Sequence, residues 1–222
     1  MKACLAPLLL LAGCAASIAP SLQPAQRDPY DSYREAAAAG APVYRIDPQA
    51  SVITVVVRRG GLFSRMGHDH AIASRNISGY AAPSQARADF GFRLDEMTVD
   101  EPAARATAGL PGAVPADAIA GTRANMLGRV LEAGRYPVVQ LRAQQLAGAA
   151  GTMRLAITLR GVTRSIDVPA ALEVTPDNLA ATGSVRLRQT AFGITPMSML
   201  GGALVVRDEM ELSFRIHASR VR

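Results

Sequence analysis

Thr152-Met153-Arg154-Leu155-Ala156-Ile157-Thr158-Leu159, closed by Arg160-Gly161, alternates large apolar residues with polar or small ones. A period of two places Met153, Leu155, Ile157 and Leu159 on one face of an extended strand and the intervening residues on the other. The alternation recurs upstream, where Phe90, Phe92 and Leu94 oppose Asp89, Gly91 and Arg93. It recurs again downstream, where Met210, Leu212, Phe214 and Ile216 oppose Glu211, Ser213, Arg215 and His217. Strands with one apolar face belong to antiparallel sheets, because a strand covered by helices on both faces is apolar throughout.

Further strands are expected over 51–57, 70–80, 138–145, 166–174 and 180–188, separated by turn residues such as Gly148, Gly151, Gly161 and Pro176-Asp177-Asn178. That makes about eight strands. No strand–helix–strand alternation repeats, which argues against a parallel α/β fold. One helix is expected from Asp117 to Ala133. Asp117 caps it, Ile119, Met126, Leu127, Val130 and Leu131 share a buried side, and Gly134 followed by Pro137 ends it. The expected fold is mainly β: an eight-stranded antiparallel barrel with one helical insertion. Closure of eight strands leaves room for packed side chains or one slender ligand, and alternation alone does not choose between them.

The chain of 222 residues begins with Lys2 and an apolar run from Ala3 to Ala12, broken by Pro7. That run is too short for the roughly 20 residues of a membrane span and reads as a secretory signal. It ends in Leu11-Ala12-Gly13-Cys14, which resembles a bacterial lipobox. The resemblance implies cleavage before Cys14 and acylation of its thiol, and Ala15 points toward the outer membrane. The expected organisation is a lipoprotein signal over 1–13, a Pro-rich tether over 14–42 with a short helix through Tyr33 to Ala39, and one barrel domain over 43–222. The expected location is the periplasmic side of the cell envelope. The two cysteines, Cys4 and Cys14, both precede the barrel, so no disulfide framework is available to it.

The net charge of +6 comes from arginines scattered singly, and aromatics make up only 5% with no Trp. A single-stranded nucleic-acid platform needs stacking side chains, so no nucleic-acid partner is expected. The mildest reading of the charge is weak attraction to anionic lipid headgroups. Arg154, Arg186 and Arg188 alternate outward and suit either a solvated face or the seam of a homodimer.

Four separated motifs carry a family resemblance: Tyr44-Arg45-Ile46-Asp47-Pro48 with Ser51; Gly128 through Tyr136-Pro137; Leu155 through Arg160-Gly161-Val162-Thr163-Arg164; and Phe192-Gly193-Ile194. Their order resembles the YceI-like family of bacterial periplasmic proteins, from about Tyr44 to the C-terminus. The resemblance implies a lipocalin-like barrel that holds a long isoprenoid chain, or a quinone-like lipid, in an apolar channel without chemical turnover and with no other cofactor. Phe63, Phe90, Phe92, Leu94, Leu155, Ile157, Leu159, Met210, Leu212 and Phe214 are the expected cavity lining. The sequence departs from the family at Met66-Gly67-His68-Asp69-His70, where relatives have Gly, one residue and Phe. It departs again at Gln189, where an Arg often stands.

His68 and His70 sit two apart, so a strand projects both imidazoles to one side. Three readings remain at this point. The pair satisfies local backbone groups, with Asp69 capping the turn; or His68, His70 and Arg65 meet a lipid headgroup; or His68 and His70 ligate a metal or haem. A closed zinc site commonly needs four ligands, and only His217 remains among the histidines. Enzyme readings are weaker. Ser64, His68 and Asp69 form no nucleophile–base–orienter set, since adjacent strand residues face opposite ways. Met66, Met197 and Met199 read as core or cavity lining rather than a copper site.

Overall fold

The computed structural model describes residues 28–146, 148 and 151–222. The expected signal, Cys14 and the first part of the tether lie outside the described residues. From Tyr44 the chain runs through β1 (Tyr44–Ile46), β2 (Val52–Gly60), β3 (His70–Ser74), β4 (Ser78–Ala82), β5 (Arg87–Arg93) and β6 (Thr98–Val99). After a helical insertion it continues through β7 (Val138–Gln145), β8 (Thr152–Leu159), β9 (Val162–Val174), β10 (Asn178–Arg188), β11 (Ser198–Met199) and β12 (Leu204–Arg220). Every pairing is antiparallel. The order β1-β4-β5-β7-β8-β9-β10-β12 returns to β1, where Tyr44 opposes Arg220 and Ile46 opposes Ala218, so the sheet closes into an eight-stranded barrel.

Two walls of this barrel are broken strands. Beyond the break at 47–51, β2 takes over from β1 along β12, with Val52 opposite Arg215. The expected single strand 70–80 is likewise two, β3 and β4. At the break the Ile77 amide bonds back to the Arg75 carbonyl, and the Ile77 side chain is fully buried. The turn satisfies its own backbone while sinking an apolar anchor, which local alternation does not signal.

Inward positions follow the expected parity: Ile53 and Val55 on β2, Phe90 and Phe92 on β5, Leu155 and Ile157 on β8, Leu212 and Ile216 on β12 all belong to one apolar core. Two helices cover outer faces. In α1 (Asp31–Ala38), Tyr33 is fully buried beneath the barrel's outer wall, stacked on Tyr80 at 5.8 Å. In α2 (Pro102–Thr107), Ala104 packs with Val56, Ala71 and Ala73. The sequence carries no signal for α2, because one apolar residue packed inward on a six-residue helix leaves no period to detect.

The expected helix 117–133 is shorter. Regular α3 spans Ala116–Asn125 and widens into a π-helical turn, Met126–Val130, where the Leu131 amide reaches the Met126 carbonyl. Met126 is the buried residue there, while Ile119, Leu127, Val130 and Leu131 are only partly buried against the core. The wider turn brings Met126 over the barrel end at the cost of regular hydrogen bonding.

Three of the four separated motifs meet at that same end, while Tyr44 stands at the other, its hydroxyl donating to the Thr175 carbonyl at 2.7 Å. The bare Cα of Gly161, at φ 74°, lies under the Tyr136 ring, 3.2 Å from where a Cβ would stand. Arg160 donates to the Gly193 carbonyl at 2.9 Å and also pairs with Glu132. Arg164 donates to the Ala191 carbonyl at 2.7 Å. The β8–β9 turn thus clamps the helical insertion and the 189–194 segment together.

Inside the wall, Gly183 of β10 stands opposite Phe214. A Cβ there would lie 2.5 Å from the ring and 2.6 Å from the Pro169 carbonyl oxygen, and the backbone oxygen cannot swing away. Gly183→Ala is expected to destabilise the barrel by about 2 kcal/mol, read as a lowered urea midpoint with unchanged slope.

Candidate functional site

The barrel interior is a lumen in two chambers that share Ile53, Leu141 and Leu212 as a waist. The chamber at the hairpin end, about 90 Å³, has six alanines in its wall: Ala81, Ala86, Ala88, Ala143, Ala170 and Ala181. Larger residues, among them Phe90, Met153, Leu155, Leu179, Phe214 and Ile216, stand between them, and Arg87 and Gln145 are also in its lining. The chamber at the helical end, about 120 Å³, is lined by larger groups, among them Phe92, Leu94, Ile157, Leu159, Phe192 and Met210. Its one polar lining residue is Gln189. The Gln189 amide nitrogen is occupied, donating to the Arg207 carbonyl at 2.8 Å.

Both volumes fall below the roughly 300–1,000 Å³ of pockets for compact ligands. The lumen therefore suits a slender chain, and a longer one needs its lining to move. Met153 and Met210 are the side chains best able to do so, being unbranched and soft.

Past Val57, Ile72, Met126, Val130 and Gln189, the lumen borders a wider antechamber of about 390 Å³ under α3. Here the lining turns mixed: His68, His70, Thr122, Asn125 and Arg59 stand beside Met66, Met197 and Met199. The expected cavity residues Phe90, Phe92, Leu94, Leu155, Ile157, Leu159, Met210, Leu212 and Phe214 all line the two chambers. Phe63 does not: it sits in the β2–β3 loop, 44% exposed. Arg65 is also outside, exposed on a turn of 3-10 helix, and Arg59 takes the place expected for it in the lining. The three methionines do converge on one cavity, which their sequence spacing did not suggest.

His70 belongs to a buried array that sequence reasoning missed. Its Nδ1 hydrogen-bonds Asp100 Oδ2 at 2.6 Å, and its Nε2 hydrogen-bonds the Thr122 hydroxyl at 3.2 Å. The other Asp100 oxygen accepts from Arg105 Nη1 at 2.8 Å and from the Ala71 amide at 3.0 Å. Arg105 is itself spent on the carbonyls of Asp69, Pro111 and Gly112. Asp100 has φ 56°, a left-handed conformation that Asp tolerates and that turns its carboxylate under β3. Nothing in the sequence marks Asp100 or Arg105, because the contact with His70 spans thirty positions and depends on α2.

This geometry separates the two histidines. Their rings lie 6.1 Å apart and tilted by 57°, with both His70 nitrogens engaged, so they do not act as an equivalent pair. Among the described residues no group of three or more His, Cys, Asp or Glu is placed to hold a metal. Asp69 orients neither ring. Its carboxylate accepts from the Arg59 amide at 2.9 Å and pairs with Arg58 at 3.5 Å, fastening the loop to β2. His217 lies half-buried on the outer face of β12 beside Asp47 and Thr175.

Burial pushes the Asp100 carboxyl up, but His70, the Ala71 amide and Arg105 outweigh it and hold the group below its ordinary 3.8. A lowered carboxyl value contributes stability that is complete above the ordinary value and is lost as pH falls through the folded one. Asp100→Asn keeps the backbone conformation and removes the charge. It is expected to cost about 3 kcal/mol at pH 7 by stranding Arg105, and to flatten the fall in stability below pH 3.8, measured by denaturant titration across the acid range.

The profile of the YceI-like domain matches residues 44–218, most of the described chain. No curated protein matches by sequence comparison. Among solved structures, the barrel is similar to a polyisoprenoid-binding domain from Saccharophagus degradans implicated in plant cell wall breakdown. The TM-score is 0.55 and the identity 12%, over 80% of this chain and 98% of that one. It is similar also to BcnA of Burkholderia cenocepacia, with a TM-score of 0.53 and 14% identity over 78% of this chain and 99% of that one. At such identities the likeness speaks for the fold, and the profile match for descent: the chain belongs to the YceI-like family.

Proposed function

We propose that this protein is a carrier or store for an amphiphile with a long, slender apolar chain, a polyisoprenoid or quinone-like lipid, which it binds without chemical turnover. The observation that carries the reading is the lumen: two apolar chambers in line, with Gln189 as the single polar residue lining the inner one. Each CH₂ moved from water into such a space contributes roughly 0.8 kcal/mol, so an insoluble chain has a strong reason to enter. The likeness of the barrel to the polyisoprenoid-binding domain of Saccharophagus degradans supports the same chemistry.

In this reading the chain threads the waist toward the alanine-walled end, and the polar head rests in the antechamber near His68, His70, Thr122 and Asn125. There a headgroup keeps its hydrogen bonds. Cys14 holds the protein by an acyl anchor to the periplasmic side of the envelope, close to the membrane that stores the cargo. The lipid-binding reading is preferred over a metal or haem site at His68 and His70, because among the described residues the pair belongs to no group of three or more His, Cys, Asp or Glu that could hold a metal.

Native mass spectrometry of protein extracted from its own envelope is expected to find a retained lipid of several isoprene units. Ala143→Phe with Ala181→Phe fills the hairpin-end chamber and is expected to abolish retention while the thermal midpoint shows a folded barrel. Wild-type protein that retains no lipid under the same extraction overturns the reading. Separately, labelled palmitate is expected to enter the wild type and to be absent from Cys14→Ser.

A further inference from the structure

The exposed large apolar side chains are not spread evenly. Of the eight among the described residues, Leu62 (85% exposed), Met66 (68%), Leu200 (61%), Met199 and Phe63 stand on two loops at the helical end, between β2 and β3 and between β10 and β12, while Val138, Leu172 and Val174, each under half exposed, are set apart on β7 and β9. The loops are joined: the Phe63 amide donates to the Ala203 carbonyl at 2.8 Å, and Gly67 abuts the Leu204 side chain. Met66 and Met199 line the antechamber together, so the apolar rim borders it on both loops. Leu200 has φ 52°, a left-handed conformation costly to a bulky side chain, before Gly201 and Gly202 at φ 64° and 95°. The loop is thus bent in a way that leaves its largest apolar group outward.

Cations flank the rim. Arg65 lies between Phe63 and Met66, and the Arg207 side chain crosses Gly60 at the base of the loop. Both are exposed, and among the described residues neither forms an ion pair, whereas Asp69 is already engaged with Arg58 and Arg59. Protruding apolar side chains ringed by arginine match a bilayer surface carrying negative headgroups: the apolar tips enter the acyl boundary and the guanidinium groups stay among phosphates.

We infer that the loops 61–66 and 199–202 form a docking rim for an anionic lipid bilayer, which sets the antechamber mouth against the membrane. The inference rests on the lumen reading only for its purpose, direct passage of an amphiphile between bilayer and barrel. The contact itself needs no cargo.

The test uses the full chain carrying Cys4→Ser and Cys14→Ser, with a single cysteine introduced as Leu62→Cys, Leu200→Cys or, at the opposite end, Asp177→Cys. Each is labelled with an environment-sensitive fluorophore and mixed with phosphatidylcholine vesicles, with or without phosphatidylglycerol. The apolar leader is common to all three, so the readout is which end meets the lipid. Emission at 62 and 200 is expected to shift blue on phosphatidylglycerol vesicles while 177 stays water-like. Arg65→Glu with Arg207→Glu is expected to raise the lipid concentration for half-maximal shift about tenfold. Rim labels that remain water-like, or an equal shift at 177, overturn the inference, and a rim that serves a protein partner instead gives the first of these. Native mass spectrometry on the same samples keeps the two proposals apart. Cargo lost with the rim shift intact overturns the lumen reading alone, and cargo retained with silent labels overturns the rim alone.

Discussion

The molecule depends on one long strand. β12 runs 17 residues and is paired along one side with β10 and along the other with β2 and then β1. That double pairing turns a meander into a tube, closing the eight-stranded ring through β1 and carrying β2, β3 and β6 on beyond the break. Only under that condition is an interior lined by Leu, Ile, Phe and Ala stable as a space rather than collapsing onto solvent-exposed edges. The registers also fix which side chains face inward, since a slip of one residue would exchange the two faces of every strand.

Given closure, the shape of the interior follows from side-chain size. Alanines from β4, β5, β7, β9 and β10 gather at the hairpin end, and larger residues from β2, β7, β8 and β12 gather at the helical end. The waist at Ile53, Leu141 and Leu212 narrows the passage between them. The result is a narrow apolar passage, different in shape from a compact pocket with several converging donors.

Polar chemistry is concentrated at the helical end, where it has two roles. Asp100 and Arg105 satisfy each other and the surrounding backbone, tying α2 and the β3 strand together. Through Asp100 the ring of His70 is set in a fixed orientation toward Thr122 on α3. The apolar loops and arginines beyond it face outward.

What depends on near neighbours can be read from the chain alone. The period-two alternation of 152–159 or 210–216 reports which side of a strand is buried, and the clustered glycines and prolines report where strands end. The inward-facing set on β5, β8 and β12 was therefore legible, as was most of α3. Phe63 and Arg65 were misplaced because a loop has no parity to read. Other features were settled by tertiary structure: the broken strands, the short α2, the Asp100–His70–Thr122 array, the convergence of Met66, Met197 and Met199, and the division of alanines from larger residues along the lumen. Each depends on groups far apart in the chain whose contact exists only after the sheet has closed, and closure is a property of the whole wall that no single segment encodes.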